Sequence, residues 1–229
     1  MTPVLFYGVP QGCSFGSIVA LEWLNQPYRL CRIEMLEHPW DARFAQINPL
    51  LKTPALLTAD GAPISESVAI LLHLAGRGGV RAGTRAHDRL AQMLAYLATD
   101  FFAAFAPLWL LYDEGGFDES QTALLRRIGR EDVARQCRYL DGLFADRDWL
   151  LGERSLADAY LSGLGRWIGY HRLFDVDAEF PRLGRYLQRL ADDPGVRFAQ
   201  AIERGEKIEG HGAFEGHVTL DALTLPRAA

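Results

Sequence analysis

The run from Ile47 to Leu72 limits the fold most tightly, because it sets prolines, a hairpin signal and a helix start side by side. Pro54 to Thr58 is short and apolar, Asp60-Gly61 is the two-residue signal of a tight hairpin, and Pro63-Ile64 leaves room for only a brief second strand before Ser65. The stretch predicts loop, strand, turn, strand, helix. Ser65 is placed as the N-cap, so Glu66, Ser67 and the backbone N–H groups of Val68 and Ala69 fall at the positive end of that helix. Such an end wants an anion. Pro54 has no N–H to give to a ladder, which leaves the backbone of its neighbour Thr53 free to pair with something outside the sheet. A bound extended peptide satisfies those groups.

Upstream, Pro3 to Tyr7 reads as an apolar strand ending at Gly8, and Ser17 to Leu24 follows as a helix with Ile18, Leu21 and Leu24 on one stripe. Cys13 lies in the turn between them, where the free N–H groups and dipole of a helix start favour a thiolate. Tyr28 to Ile33 alternates like a half-buried strand with Cys31 as a structural residue, and a parallel return makes a right-handed βαβ unit. His38-Pro39-Trp40-Asp41 opens a short helical passage. With three widely spaced cysteines, Cys13, Cys31 and Cys137, neither a disulfide framework nor a zinc site is expected.

Glycines from Gly76 to Gly83 mark a linker, and beyond it the pattern is helical. Leu90, Leu94, Leu97, Phe101, Phe105 and Leu108 predict one long helix from about Ala86 towards Tyr112, kinked at Pro107, and a second covers roughly Glu119 to Ala145. Ser155-x-x-Asp158 is a variant capping box ahead of the core stripe Ala157, Leu161, Leu164 and Ile168. The expected division is 1–77, a linker 78–84, a helical part 85–204, and an irregular extension 205–229 packed back on the body. His211 and His217 in that extension are not expected to bind metal. At 229 residues, about half of them hydrophobic, the chain can fill two cores. A net charge of −5 gives no footprint for nucleic acid, and no apolar run is expected to reach the roughly 18 residues of a membrane span. With no signal peptide at Met1 to Pro10, a cytoplasmic protein is expected.

The motif Asn48-Pro49-x-x-Lys52-Thr53-Pro54-Ala55-Leu56, then Asp60-Gly61, then Ser65-Glu66-Ser67-x-Ala69-Ile70, resembles the glutathione-binding half of the glutathione transferase family. The resemblance extends over about residues 3 to 204 and implies an α/β thioredoxin-like N-terminal domain, βαβαββα, followed by an all-α helical-bundle C-terminal domain. It implies a cis Thr53–Pro54 bond, with Lys52, Thr53 and Pro54 beside the peptide and Glu66-Ser67 on the γ-glutamyl carboxylate. Gly12-Cys13-Ser14 is similar to the beta class, which makes Cys13 the catalytic candidate and Ser14 a contact to glutathione; Tyr7 is the minor alternative. Asp100 matches an acidic residue that reaches the glutathione amino group across a homodimer interface. Tyr7, Phe102, Phe105, Trp109 and Tyr112 are expected to border a pocket for a small apolar electrophile. Phe102 and Ala103 depart from the class, standing where it has a His followed by a Lys. A helix dipole alone lowers a thiol by less than one pH unit, so Cys13 is expected near 7 to 8, roughly speaking. Glutathione is implied as co-substrate with no other cofactor. The activity implied is conjugation to an electrophile or reduction of mixed disulfides; the alternative is a non-catalytic binding or scaffolding protein on the same fold.

Overall fold

Short apolar strands and one apolar helix build the first part of the chain. They are β1 (Val4–Tyr7), α1 (Phe15–Leu24), β2 (Tyr28–Arg32), β3 (Ala55–Leu57), β4 (Pro63–Ser65) and α2 (Ser67–Arg77). The structure, a computed structural model, describes residues 1–8, 10–36, 40–206 and 213–225. β1 is buried at every position and lies in the middle of a five-stranded sheet, with β2 parallel on one side and β3 antiparallel on the other. β4 closes the hairpin against β3 across the Asp60-Gly61 turn. The helical passage expected before β3 is a single tight turn, Ala42–Gln46, capped by the Asp41 side chain; His38 and Pro39, where it was expected to open, lie outside the described residues.

The chain divides into two compact units, Met1–Asp88 together with Asp192–Ala229, and Arg89–Ala191. Helix α10 (Pro194–Glu203) belongs to the first unit, although the sequence grouped it with the helical part. The reason is local. Asp193 caps α10 by accepting the Gly195 and Val196 N–H groups at 2.8 and 3.2 Å, and the same carboxylate oxygen takes the indole N–H of Trp23 on α1 at 2.8 Å. Gly195 is needed for this approach, since a Cβ there would stand 3.1 Å from the Trp23 ring. Hemmed in by the sheet, α2 and α10, α1 is buried from Phe15 to Glu22. Its one acidic side chain, Glu22, accepts the hydroxyl of buried Tyr28, as an enclosed carboxylate must find a donor.

The extension expected to be irregular contributes a strand. β5 (Phe214–His217) runs parallel to β2 at the sheet edge, with Tyr28 N–H on the Ala213 carbonyl at 3.1 Å and Val218 N–H on the Leu30 carbonyl at 2.9 Å. Cys31 is buried, in keeping with a structural residue, and the strand is covered on both faces: Val4, Phe6, Cys31, Ile33, Ala55 and Leu57 gather on the second face with Phe44, Ile47 and Leu220. His211 lies outside the described residues.

The second unit is helical, from the greater part of α3 (Arg85–Tyr96) through α4 (Ala106–Asp113), α5 (Glu119–Leu143), α6 (Leu156–Gly165), α7 (Trp167–Tyr170), α8 (Val176–Glu179) and α9 (Pro181–Ala191). The long helix expected over 86–112 is not one α-helix. A π turn, Leu97–Phe101, follows α3, where Phe102 N–H bonds Leu97 O at 2.8 Å, and a tight turn Ala103–Phe105 precedes α4. Pro107 starts α4 and so kinks nothing. By length and composition the helical run Arg85–Tyr112 is apolar enough to cross a membrane, which corrects the sequence expectation. In this fold Leu90, Leu94, Leu97, Phe101, Phe105 and Leu108 on that run are core residues.

The capping box at α6 is present and is extended by a fourth group. Fully buried Asp158 accepts Ser155 N–H and Oγ, both at 2.8 Å, Leu150 N–H at 3.0 Å, and the Tyr186 hydroxyl at 2.6 Å. Burial pushes its carboxyl above the ordinary range while these donors pull it back. Asp158→Ala would strand the enclosed Leu150 and Ser155 N–H groups, and we expect it to cost about 3 kcal/mol in urea unfolding. Asp158→Asn, which keeps an acceptor, is expected to cost less.

Candidate functional site

Strand register brings the distant pieces of the central motif together. Ala55 pairs with Phe6 on one side and with Ser65 on the other, so Thr53-Pro54, the end of β1, and Glu66-Ser67 meet at one end of the sheet. The Thr53–Pro54 bond is cis, as expected. Gly8 makes the approach possible: a Cβ there would fall 2.8 Å from Thr53 Oγ1 and 2.5 Å from Met35 Cγ. Because β1 and β4 each run antiparallel to β3, they point the same way, and the helices that follow them, α1 and α2, both begin at this end. Two positive helix ends therefore share one side of the first unit.

At the start of α2 the N-cap is Glu66 and not Ser65 as expected, and it has φ +71° and ψ 127° with no side-chain cap bond. A non-glycine residue held there carries strain of about 1–3 kcal/mol, of the kind that collects at functional sites. The exposed Glu66 carboxylate is left outside the turn, while the Ser67 side chain is buried at the first helical position. Ile70 N–H reaches Glu66 O, but the N–H groups of Ser67, Val68 and Ala69 precede the first carbonyl a helix can offer them. Lys52 is exposed, Thr53 half-buried and Pro54 buried. Asn48 stiffens the approach to them, donating to Lys52 O at 2.8 Å and accepting Leu50 N–H at 3.1 Å.

Cys13 is half-buried, one residue before the Ser14 N-cap of α1. Ser14 itself is buried, 4% exposed, and its Oγ has no hydrogen-bond partner. Cys31 and Cys137 are buried, and burial pushes both thiols up to about 12, with Asp141 and Glu179 adding to the effect at Cys137. Tyr7 is also a core residue, 4% exposed, with its hydroxyl 3.1 Å from His217 Nε2 on β5. Burial raises the Tyr7 phenol, and burial together with Arg32 lowers the His217 imidazole, so the pair is held neutral. Tyr7 is thus not a pocket wall. His217 was missed because its partner lies 210 positions away.

Of the other aromatics, Phe105 is 0% exposed and belongs to the core of the second unit, which corrects its assignment to a pocket. Phe102 is half-buried against Trp167, with ring centroids 5.4 Å apart. Trp109 stacks on Tyr170 at 5.6 Å and meets the edge of His171 at 4.5 Å, while Tyr112 is 68% exposed. Tyr170 and His171 went unnoticed in the sequence, although Trp167-Ile-Gly-Tyr-His171 is an aromatic-rich run. His171 Nε2 is buried without a partner, and burial with nearby Arg126 lowers the ring's basicity. Asp100 sits in the π turn, exposed, and accepts the Thr99 hydroxyl at 2.8 Å. Among the described residues, no group of three or more His, Cys, Asp or Glu gathers to hold a metal.

Residues 13–77 match the family model described as glutathione S-transferase, N-terminal domain, and residues 102–194 match glutathione S-transferase, C-terminal domain. The chain belongs to the glutathione S-transferase family. It is 27% identical over 208 residues to the glutathione S-transferase GstA of Escherichia coli O157:H7, a match covering 87% of this chain and 98% of GstA. Its fold is similar to the beta class glutathione S-transferase of Sphingomonas chungbukensis, at 28% identity and TM-score 0.74, covering 87% of this chain and 98% of that one. It is equally similar to a sphingomonad glutathione S-transferase complexed with glutathione, at 27% identity and TM-score 0.74, covering 88% and 98%. Glutathione S-transferases use glutathione as co-substrate without a metal or prosthetic group, and membership supports that function at the level of the family.

The three thiols make a direct check on the site. We expect iodoacetamide at pH 8 to modify the native chain once, at Cys13, and the urea-unfolded chain three times, read by intact mass and peptide mapping. Labelling of Cys31 or Cys137 at a comparable rate in the native chain would contradict their burial.

Proposed function

We propose that this glutathione S-transferase-fold protein binds glutathione at the shared end of β1, β3 and β4 and uses Cys13 in thiol chemistry upon it. The observation that carries the reading is the register Ala55 to Ser65, which brings Thr53, two residues before Ala55, towards the start of α2 at Ser67. Glutathione is an extended tripeptide with a γ-glutamyl carboxylate at one end and a thiol in the middle. Thr53 pairs with its cysteinyl backbone, Ser67 and the first N–H groups of α2 take the carboxylate, and Glu66 and Lys52 flank it. The thiol then falls towards the start of α1. A homodimer, in which Asp100 of a second copy reaches the glutathione amino group, completes the reading.

Two reactions suit such a site. In conjugation, the glutathione thiolate attacks the electrophile, the leaving group departs with the bonding electrons, and the thiol proton goes to solvent. In disulfide reduction, the Cys13 thiolate attacks the glutathione sulfur of a mixed disulfide, and the other thiolate leaves and takes a proton. A second glutathione thiolate attacks the Cys13–glutathione disulfide, which frees Cys13 and yields oxidised glutathione. The sequence supplies no second thiol at Gly16 to do this internally. Phe102, packed on Trp167, and Ala103 stand where the resemblance expects a basic pair, so these two positions carry no charge to favour a fast conjugating thiolate. Exchange, which is fastest when the thiol titrates near ambient pH, is the better match. The same loss favours the second reading, a protein that binds glutathione without turning it over.

Thermal unfolding with and without glutathione tests the site. At one hundred times Kd, glutathione is expected to raise Tm by about 5–10 °C, and Ser67→Ala to remove much of that shift. Cys13→Ala should keep the shift while abolishing glutathione-dependent reduction of a mixed disulfide. Full activity in Cys13→Ala would make Cys13 a packing residue, and binding without turnover in the unaltered protein would establish the second reading.

A further inference from the structure

The family model for the helical domain ends at residue 194, yet the residues beyond it reach the sheet face beneath the peptide-binding segment. Leu220 is part of the apolar cluster that contains Phe44 and Ile47, and Val218, Leu223 and Leu225 pack against the same cluster beside Leu51. Phe44 belongs to the tight turn Ala42–Gln46, which leads through Ile47 and Asn48 to Lys52 and Thr53. That turn is also held by charge. The Arg43 guanidinium grips Asp41, the N-cap of the turn, and on its other arm Asp221 of the tail. The tail is anchored in turn by β5, whose ladder to β2 continues through the Val218 N–H bond to Leu30 O at 2.9 Å.

We propose that the C-terminal segment Ala213–Leu225 is a strap that holds residues 41–54 in their ligand-binding position, with Leu220 and Leu223 as positioning residues for glutathione. The inference rests on the peptide-site reading above. The ion pair to Asp221 lies at the surface and adds little by itself, so the apolar underside is the main support. The coupling between strap order and ligand affinity is reciprocal, so glutathione also holds the strap in place.

Both directions can be measured on the full-length chain. Leu220→Ser with Leu223→Ser is expected to raise the Kd for glutathione in titration calorimetry about tenfold, with kcat at saturating glutathione within about twofold of the unaltered chain. Should that variant not fold, hydrogen exchange on the unaltered chain decides the matter: glutathione is expected to slow exchange at the Val218 and Ala222 amides together with residues 41–54. Protection of 41–54 alone overturns the strap, as does a variant with lowered Tm and unchanged Kd. If the unaltered chain takes up no glutathione at all, the peptide-site reading falls and the strap falls with it.

Discussion

The antiparallel insertion of β3 between β1 and β4 is the constraint on which the rest of the first unit depends. One strand of three residues sets two registers at once, Ala55 against Phe6 and Ala55 against Ser65, and so decides which loops become neighbours. A slip of one residue would turn Leu56 out of its packed face and part Thr53 from Ser67. The slip is resisted because Ala55, Leu56 and Leu57 are all buried, Ala55 and Leu57 in the cluster with Phe44 and Leu220 and Leu56 on the opposite face. Packing and the proposed glutathione site therefore rest on the same short strand.

What the sequence made legible was local. Asp60-Gly61, Pro54, the apolar strand before Gly8 and the box Ser155-x-x-Asp158 each state their structure within a few residues, and each is found where expected. The cap of α2 shows the limit of such reasoning. Ser65 is the better capping residue by propensity, but it is spent on the β4 ladder opposite Ala55, which pushes the cap onto Glu66 and into a strained conformation. A tertiary demand overrode a local preference at a position the family motif marks for ligand binding, which is where such conflicts collect.

What remained illegible was long-range or depended on helical phase. β5 is short, its register on β2 shifts between Tyr28 and Leu30, and nothing within it announces a partner nearly two hundred residues earlier. Phe105 was assigned twice, once to a core stripe and once to a pocket, because steps of three and four from Leu90 support either. The π turn at Leu97–Phe101 settles the phase: its extra residue keeps Phe101 and Phe105 on the buried side, in ring contact at 5.5 Å. The same apolar richness that lets the run Arg85–Tyr112 pass for a membrane span is what fills this core.

Charge sets the chemistry that the fold can support. In the proposed mode of binding, a carboxylate and the thiolate of glutathione each meet a helix start of their own, because β1 and β4 run in the same sense. Each start is worth about 0.3–1 kcal/mol for an exposed anion, up to about 2 when partly buried. That is ample to orient a carboxylate, which is ionised in any case. For a thiol it amounts to less than about one and a half pH units at best, since about 1.4 kcal/mol is needed per unit. A helix end by itself thus secures binding more readily than it secures a permanent thiolate. In this chain the position that carries a His and Lys in the beta class is occupied by Phe102, packed on Trp167, and by Ala103. On the proposed function, that replacement favours exchange between sulfurs over rapid attack on carbon, because exchange is fastest with a thiol that titrates near ambient pH.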